Sequence, residues 1–205
     1  MKLSEILERS AGAKLVAVSK NVDTPEVEKL IAQGQMDFGE NRVQELKRKI
    51  SILGDSNLNW HFIGRLQTNK INALVALRPC LWQSCESLAH AVEVNKRLNY
   101  KLPTLLQINS ANEDTKQGVS VDEAVDVYEQ ILAECPNIAL RGVMSIGAHT
   151  DDTREIARSF EATRAIFERL APHGATICSM GMSDDFELAI KCGSNMVRLG
   201  RILYN

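Results

Sequence analysis

Eight short apolar runs separated by segments of helical spacing constrain this chain more than any other feature of it. The runs are Leu15–Ser19, Met36–Gly39, Trp60–Ile63, Leu81–Ser84, Thr104–Ile108, Leu140–Ile146, Thr176–Met180 and Met196–Leu199. Several are continuously apolar instead of alternating, the pattern of parallel strands covered on both faces. Between them, Pro25–Gly34 carries Val27, Leu30 and Ile31, with Thr24 predicted as N-cap and Gly34 as the C-terminal stop. Val121–Cys135 repeats the pattern, and Asp152–Ala171 spaces Ile156, Phe160, Thr163, Phe167 and Leu170 by four, three, four and three, one face of a helix. Strands alternating with helices in this number predict a (β/α)8 TIM barrel, small for its class. A doubly wound open sheet fits the same alternation but calls for a glycine-rich turn after its first strand, where this chain has Ser19-Lys20-Asn21-Val22-Asp23.

Length and charge bound the rest. The 205 residues are expected to form a single domain spanning 1–205. With 24 Lys+Arg against 26 Asp+Glu the formal charge is −2, so no electrostatic footprint for nucleic acid is expected. No apolar stretch approaches the roughly 20 residues of a membrane span. The acidic, amphipathic start Met1–Arg9 is unlike an export signal, and five scattered cysteines without a Cys-x-x-Cys pair support neither a zinc ribbon nor a thioredoxin-like site. A cytoplasmic protein is expected.

In a barrel, chemistry gathers at the C-terminal ends of the strands. Lys20 follows the first apolar run directly, where partial desolvation would free its amine to attack a carbonyl. The loop Ser179-Met180-Gly181-Met182-Ser183 supplies hydroxyls and a glycine, and opens a segment, Asp184–Leu188, predicted as helix. Gly200 and Arg201 offer a second group of backbone N–H donors, and barrels often bind phosphate after strands seven and eight. In a closed barrel strands one and eight are neighbours. An amine facing a phosphate cradle there suits an aldehyde cofactor bearing a phosphate, of which pyridoxal 5′-phosphate (PLP) is the obvious candidate.

The chain resembles the pyridoxal phosphate homeostasis proteins (the YggS/PROSC family), relatives of the barrel domain of alanine racemase, of the architecture called PLP fold type III. The matching segments are Val16–Lys20, Phe38–Glu45, Trp60–Lys70, Met180–Asp185 and Val197–Gly200, with Gln107-Ile108-Asn109, Glu113, Lys116 and Gly118 also fitting. The resemblance implies that Lys20 is the Schiff-base lysine and that Ser179, Met182, Ser183, Gly200 and Arg201 surround the phosphate. It places Arg198 near the pyridine nitrogen and Asn41 near the ring. The family usually has a small or polar residue where Arg201 stands, so backbone contacts are expected there and a hydroxyl contact is not.

Arginine carries only donors, so a ring nitrogen bonded by Arg198 stays unprotonated, and an unprotonated pyridine is a weaker electron sink. The racemase relatives also use an arginine, but add a β-rich domain that supplies a tyrosine base; none is expected here. The favoured reading is a PLP carrier or buffer without enzymatic turnover, monomeric, serving apo PLP-dependent enzymes. The alternative is an amino-acid racemase or related enzyme in which Lys20 moves the α-proton. A serine hydrolase is disfavoured, since Gly181-Met182-Ser183-Asp184-Asp185 lacks the second glycine of a nucleophile elbow. Four isolated histidines show no metal-ligand spacing, and His61 is expected to be a structural histidine hydrogen-bonded inside the barrel. Trp60, Phe62 and Trp82 are expected in the core.

Overall fold

The computed structural model describes residues 2–54, 57–111 and 117–204, so Glu113 and Lys116 lie outside the described residues. Eight strands form the frame: β1 (Lys14–Val18), β2 (Asp37–Glu40), β3 (Asn59–Phe62), β4 (Leu81–Cys85), β5 (Leu102–Asn109), β6 (Ile138–Ser145), β7 (Ile177–Ser179) and β8 (Met196–Leu199). All pair in parallel, in the spatial order β4-β3-β2-β1-β8-β7-β6-β5, and pairing of β4 with β5 closes the barrel. A two-residue strand, Val119–Ser120, adds beside the end of β5. The predicted (β/α)8 barrel is therefore the observed fold.

Helices α1 (Leu3–Arg9), α2 (Thr24–Ile31), α3 (Val43–Leu53), α4 (Ile71–Leu77), α5 (Leu88–Asn95), α6 (Ala124–Glu134), α7 (Thr153–Leu170), α8 (Phe186–Lys191) and α9 (Arg201–Tyr204) cover the outside. None among the described residues is long and apolar enough to cross a membrane. The expected stripe on α7 is largely correct, with Phe160, Thr163, Ile166 and Leu170 buried, and Asp152 caps its start by accepting from the Arg154 N–H at 2.8 Å.

Two local expectations need correction, and a third holds. Thr24 is the first helical residue of α2 and not its cap; Asp23 takes the cap position, and Pro25 falls inside the first turn, where its missing N–H costs no helical hydrogen bond. Gly34 does stop that helix, at φ +92°, with Gly34 and Gln35 N–H groups returning to Ile31 and Leu30. Helix α8 begins at Phe186, two residues after Asp184, since the Asp185 carboxylate folds back to the Met182 N–H at 2.6 Å and holds those residues in a turn.

Strand alternation divides the core in two. Trp60, Phe62, Trp82, Val197 and Leu199 face the helices in the outer layer, while Val16, Leu81, Leu105, Met144 and Met196 form a small apolar plug inside the barrel. The plug does not fill the interior. Its neighbours at the same alternation, His61, Gln83, Ser179 and Arg198, are buried polar side chains.

Candidate functional site

The first and last strands build one end of the site. Ala17 pairs with Leu199, so the residues after β1 and after β8 emerge side by side at the C-terminal rim. Gly200 lies against Val18, whose carbonyl would be 3.5 Å from a Cβ placed on that glycine, and Lys20 follows two residues later. Lys20 is exposed, not partly desolvated as the sequence suggested, because Ser19 intervenes between the buried strand and the rim.

Beside Lys20 the loops after β7 and β8 converge. Ser183 Oγ accepts from the Gly200 N–H at 3.3 Å and from the Ile202 N–H at 3.5 Å. Two backbone donors thus aim at one oxygen, at the first turn of α9. Arg201 keeps its side chain outside this cluster and pairs with Asp184, both exposed, tying the two loops together. Its departure from a small residue therefore leaves the backbone donors in place. Met182 is exposed, its N–H held by Asp185; burial pushes the Asp185 carboxyl above its usual value. Gly181, at φ +96°, has no room for a side chain: a Cβ would stand 2.7 Å from Ala189 Cβ.

Arg198 rises from β8 into the barrel and is buried. Its Nη1 donates to the Ser179 carbonyl at 2.9 Å and to Ser179 Oγ at 2.7 Å, and Nη2 donates to the Ser145 carbonyl at 2.8 Å. Burial lowers its pKa to about 10, still leaving it cationic at neutral pH. Ser179, which the resemblance groups with the phosphate residues, turns its hydroxyl toward Arg198 and Gln83. Its hydroxyl is fully buried, accepts from Arg198 and donates to Gln83 Oε1 at 2.8 Å, because alternation in β7 turns it inward while Cys178 faces the helices.

Asn41 follows β2, half-buried, and Gly64 fits directly over its backbone; a Cβ at Gly64 would fall 2.1 Å from the Asn41 carbonyl oxygen. Glu40, the residue before Asn41, points outward from the barrel into the helix layer and is fully buried. There it accepts from Ser19 Oγ at 2.7 Å and pairs with Lys49 of α3, which also donates to the Ser19 carbonyl at 2.6 Å. This cluster braces the residues just ahead of Lys20 and Asn41. Lys49 escaped notice in the sequence, although Val43, Leu46 and Lys49 share the buried stripe of α3, and a lysine inside such a stripe signals a buried partner.

His61 is a structural histidine, as expected, with Nε2 2.9 Å from Asp37 Oδ1 and Nδ1 3.0 Å from Gln83 Nε2. Burial lowers its pKa, so the ring is neutral. The five cysteines are free thiols, and no cluster of metal-ligating side chains occurs among the described residues.

Comparison with known proteins decides the family. The alanine racemase N-terminal domain profile matches residues 2–205. A pyridoxal phosphate homeostasis protein of Helicobacter pylori is 48% identical over 194 residues, covering 93% of this chain and 86% of that one. The chain belongs to the pyridoxal phosphate homeostasis protein family. Another member, from Escherichia coli, is 39% identical over 202 residues, covering 93% of this chain and 84% of its own length. Among solved structures, PipY of Synechococcus elongatus with PLP bound has a TM-score of 0.85 at 29% identity, over 98% of this chain and 100% of that one. Alanine racemase from Corynebacterium glutamicum shares the fold, with a TM-score of 0.78 at 22% identity, over 96% of this chain and 57% of its own. For a pyridoxal phosphate homeostasis protein, the rim formed by Lys20, Asn41, Ser183, Gly200 and Arg198 is the end of the barrel where function is expected.

Proposed function

We propose that residues 1–205 act as a single barrel domain that binds PLP at the C-terminal rim, held covalently on Lys20, and serves intracellular PLP homeostasis as a carrier or buffer. The observation that carries this reading is the meeting of an exposed amine after β1 with convergent backbone donors after β8. When bound, PLP supplies an aldehyde for an amine and an electron sink for Cα chemistry.

The residues present fit that group. The N–H donors of Gly200 and Ile202 suit a phosphate oxygen, with the Ser183 hydroxyl free to turn from acceptor to donor. Arg198 spends three donor bonds on protein oxygens, and a guanidinium has five N–H groups, so two remain for an acceptor such as a pyridine nitrogen. Asn41 on its braced strand end is assigned to the ring. Met182 and Arg201 contribute backbone to the phosphate loop, while Ser179 serves the site through Arg198. The protein works as a monomer in the cytoplasm, with apo PLP-dependent enzymes as recipients.

Turnover of amino acids is not part of this function. Racemisation needs a base on each face of the substrate, and Tyr204, the available tyrosine near the rim, has its hydroxyl buried and its pKa pushed up by burial. Incubating the PLP-loaded protein with L-alanine and other amino acids in deuterated water tests this. Deuterium uptake at Cα and formation of D-isomer are expected far below about 1 s⁻¹, the floor of ordinary enzymatic rates. Turnover at or above that rate would make the protein a racemase.

A further inference from the structure

The polar residues inside the barrel form one continuous chain from rim to base. Arg198 Nη1 contacts Ser179 Oγ at 2.7 Å, Ser179 Oγ contacts Gln83 Oε1 at 2.8 Å, and Gln83 Nε2 contacts His61 Nδ1 at 3.0 Å. His61 Nε2 then meets Asp37 Oδ1 at 2.9 Å, and Asp37 pairs with Lys14 at 2.9 Å. Arg198 sits near the C-terminal end of β8, whereas Lys14 and Asp37 open β1 and β2 at the opposite face, beside a depression of about 540 Å³.

The direction of every link follows from its first member. An arginine only donates, so Ser179 Oγ accepts from Arg198 and gives its own proton to Gln83 Oε1. Gln83 therefore presents its amide N–H to His61 Nδ1, which fixes the tautomer: the proton is on Nε2 and is donated to Asp37. Asp37 is the terminal acceptor, receiving from His61 and Lys14. Although burial raises its pKa, the hydrogen bonds from His61 and Lys14 and the charge of Lys14 outweigh burial and keep the carboxyl below its usual value. The chain is ordered, with every donor from Arg198 to His61 pointing toward Asp37 and Lys14 donating to Asp37 from the other side, and buried networks of this kind rigidify their members only when fully satisfied.

We propose that Gln83 and His61 are positioning residues for Arg198: acting through Ser179, they fix the guanidinium plane presented to bound PLP, and Asp37 anchors the chain from the far face of the barrel. The inference rests on the reading that PLP binds at the rim with its ring nitrogen facing Arg198. In this proposal the chain beyond Arg198 acts on the orientation of the guanidinium and not by contact with the cofactor.

The test uses full-length protein loaded with PLP, comparing the parent with Gln83→Met, Asp37→Ala and the double variant, each checked for folding by circular dichroism. The readouts are PLP affinity and the maximum and pH titration of the visible band of the bound cofactor. Gln83→Met is expected to weaken PLP binding about tenfold, the scale of one charge-assisted hydrogen bond, and to shift the band and its titration. Asp37→Ala, which cannot reach the cofactor, is expected to shift them less and in the same direction. In the Gln83→Met background Asp37→Ala should add nothing further, the mark of two residues acting through one chain. Should Gln83→Met not fold, Asp37→Ala carries the test alone. A parental band, titration and affinity in every folded variant would overturn the proposal. A parent that takes up no PLP would instead overturn the reading beneath it.

Discussion

The Lys49 ammonium donates to the Ser19 carbonyl at 2.6 Å, one residue ahead of Lys20. The same nitrogen pairs with Glu40, one residue ahead of Asn41, and both side chains are buried from solvent. One cation from α3 therefore ties together the two strand ends that carry the rim lysine and the rim asparagine. A barrel gains catalytic or binding groups from loops, but their precision comes from what lies under the loops.

That brace sets the first prediction. Lys49→Met would leave the Glu40 carboxylate buried without its cation, and breaking such a pair costs about 3–5 kcal/mol. The double change Glu40→Gln with Lys49→Met removes the stranded charge and should recover most of that loss. Urea unfolding of the three proteins measures it. Equal stability of the single and double variants would contradict the account.

A second prediction separates two serines that the sequence treated alike. Ser183 accepts from the Gly200 N–H in the loop proposed to hold the phosphate, and Ser179 accepts from Arg198. A hydrogen bond to a charged group is worth about 1.5–3 kcal/mol, roughly ten- to a hundredfold in affinity. Ser183→Ala should weaken PLP binding by about that factor and leave pyridoxal, which lacks the phosphate, unaffected. Ser179→Ala should weaken both ligands alike. Competitive titration with the two ligands distinguishes the outcomes, and equal losses for Ser183→Ala would place it outside the phosphate loop.

The barrel frame was legible because its strands are apolar runs of the right length, and Met196–Leu199 was read to the residue. Lys20 and Gly200 were legible because each follows the end of a strand, and Ser183 because it lies in the loop after β7. The inward direction of Ser179 was not legible for want of the phase of alternation: at the end of a three-residue strand, nothing local says whether a serine points up into a loop or in toward the axis. The signal lay elsewhere, in His61, Gln83 and Arg198 recurring at inward positions of otherwise apolar strands. Glu40 and Lys49 could not be paired from sequence, since nine residues and a strand-to-helix turn separate them.

Acid should destabilise the protein in a defined window. Burial holds the folded pKa of His61 and of His90 below the ordinary 6.5. The unfolded chain then binds more protons than the folded one, so stability is full above about pH 6.5 and falls as pH drops below it. Asp37, whose folded pKa is lowered, adds a further loss only as pH falls below 3.8. Urea midpoints measured between about pH 7.5 and 5 should decline, and less steeply in His61→Gln, which retains only the share of His90. A flat profile in the parent would contradict the buried neutral state of both rings.

The most direct measurement is to load the purified protein with PLP, reduce it with borohydride and map the pyridoxyl group by peptide mass spectrometry. Lys20 follows β1, which pairs with the strand that carries Arg198 and leads to the donors of Gly200 and Ile202. The account predicts a single label on Lys20, and loss of the visible band in Lys20→Ala with the fold intact. A label on any other lysine, or a band that survives Lys20→Ala, would contradict it.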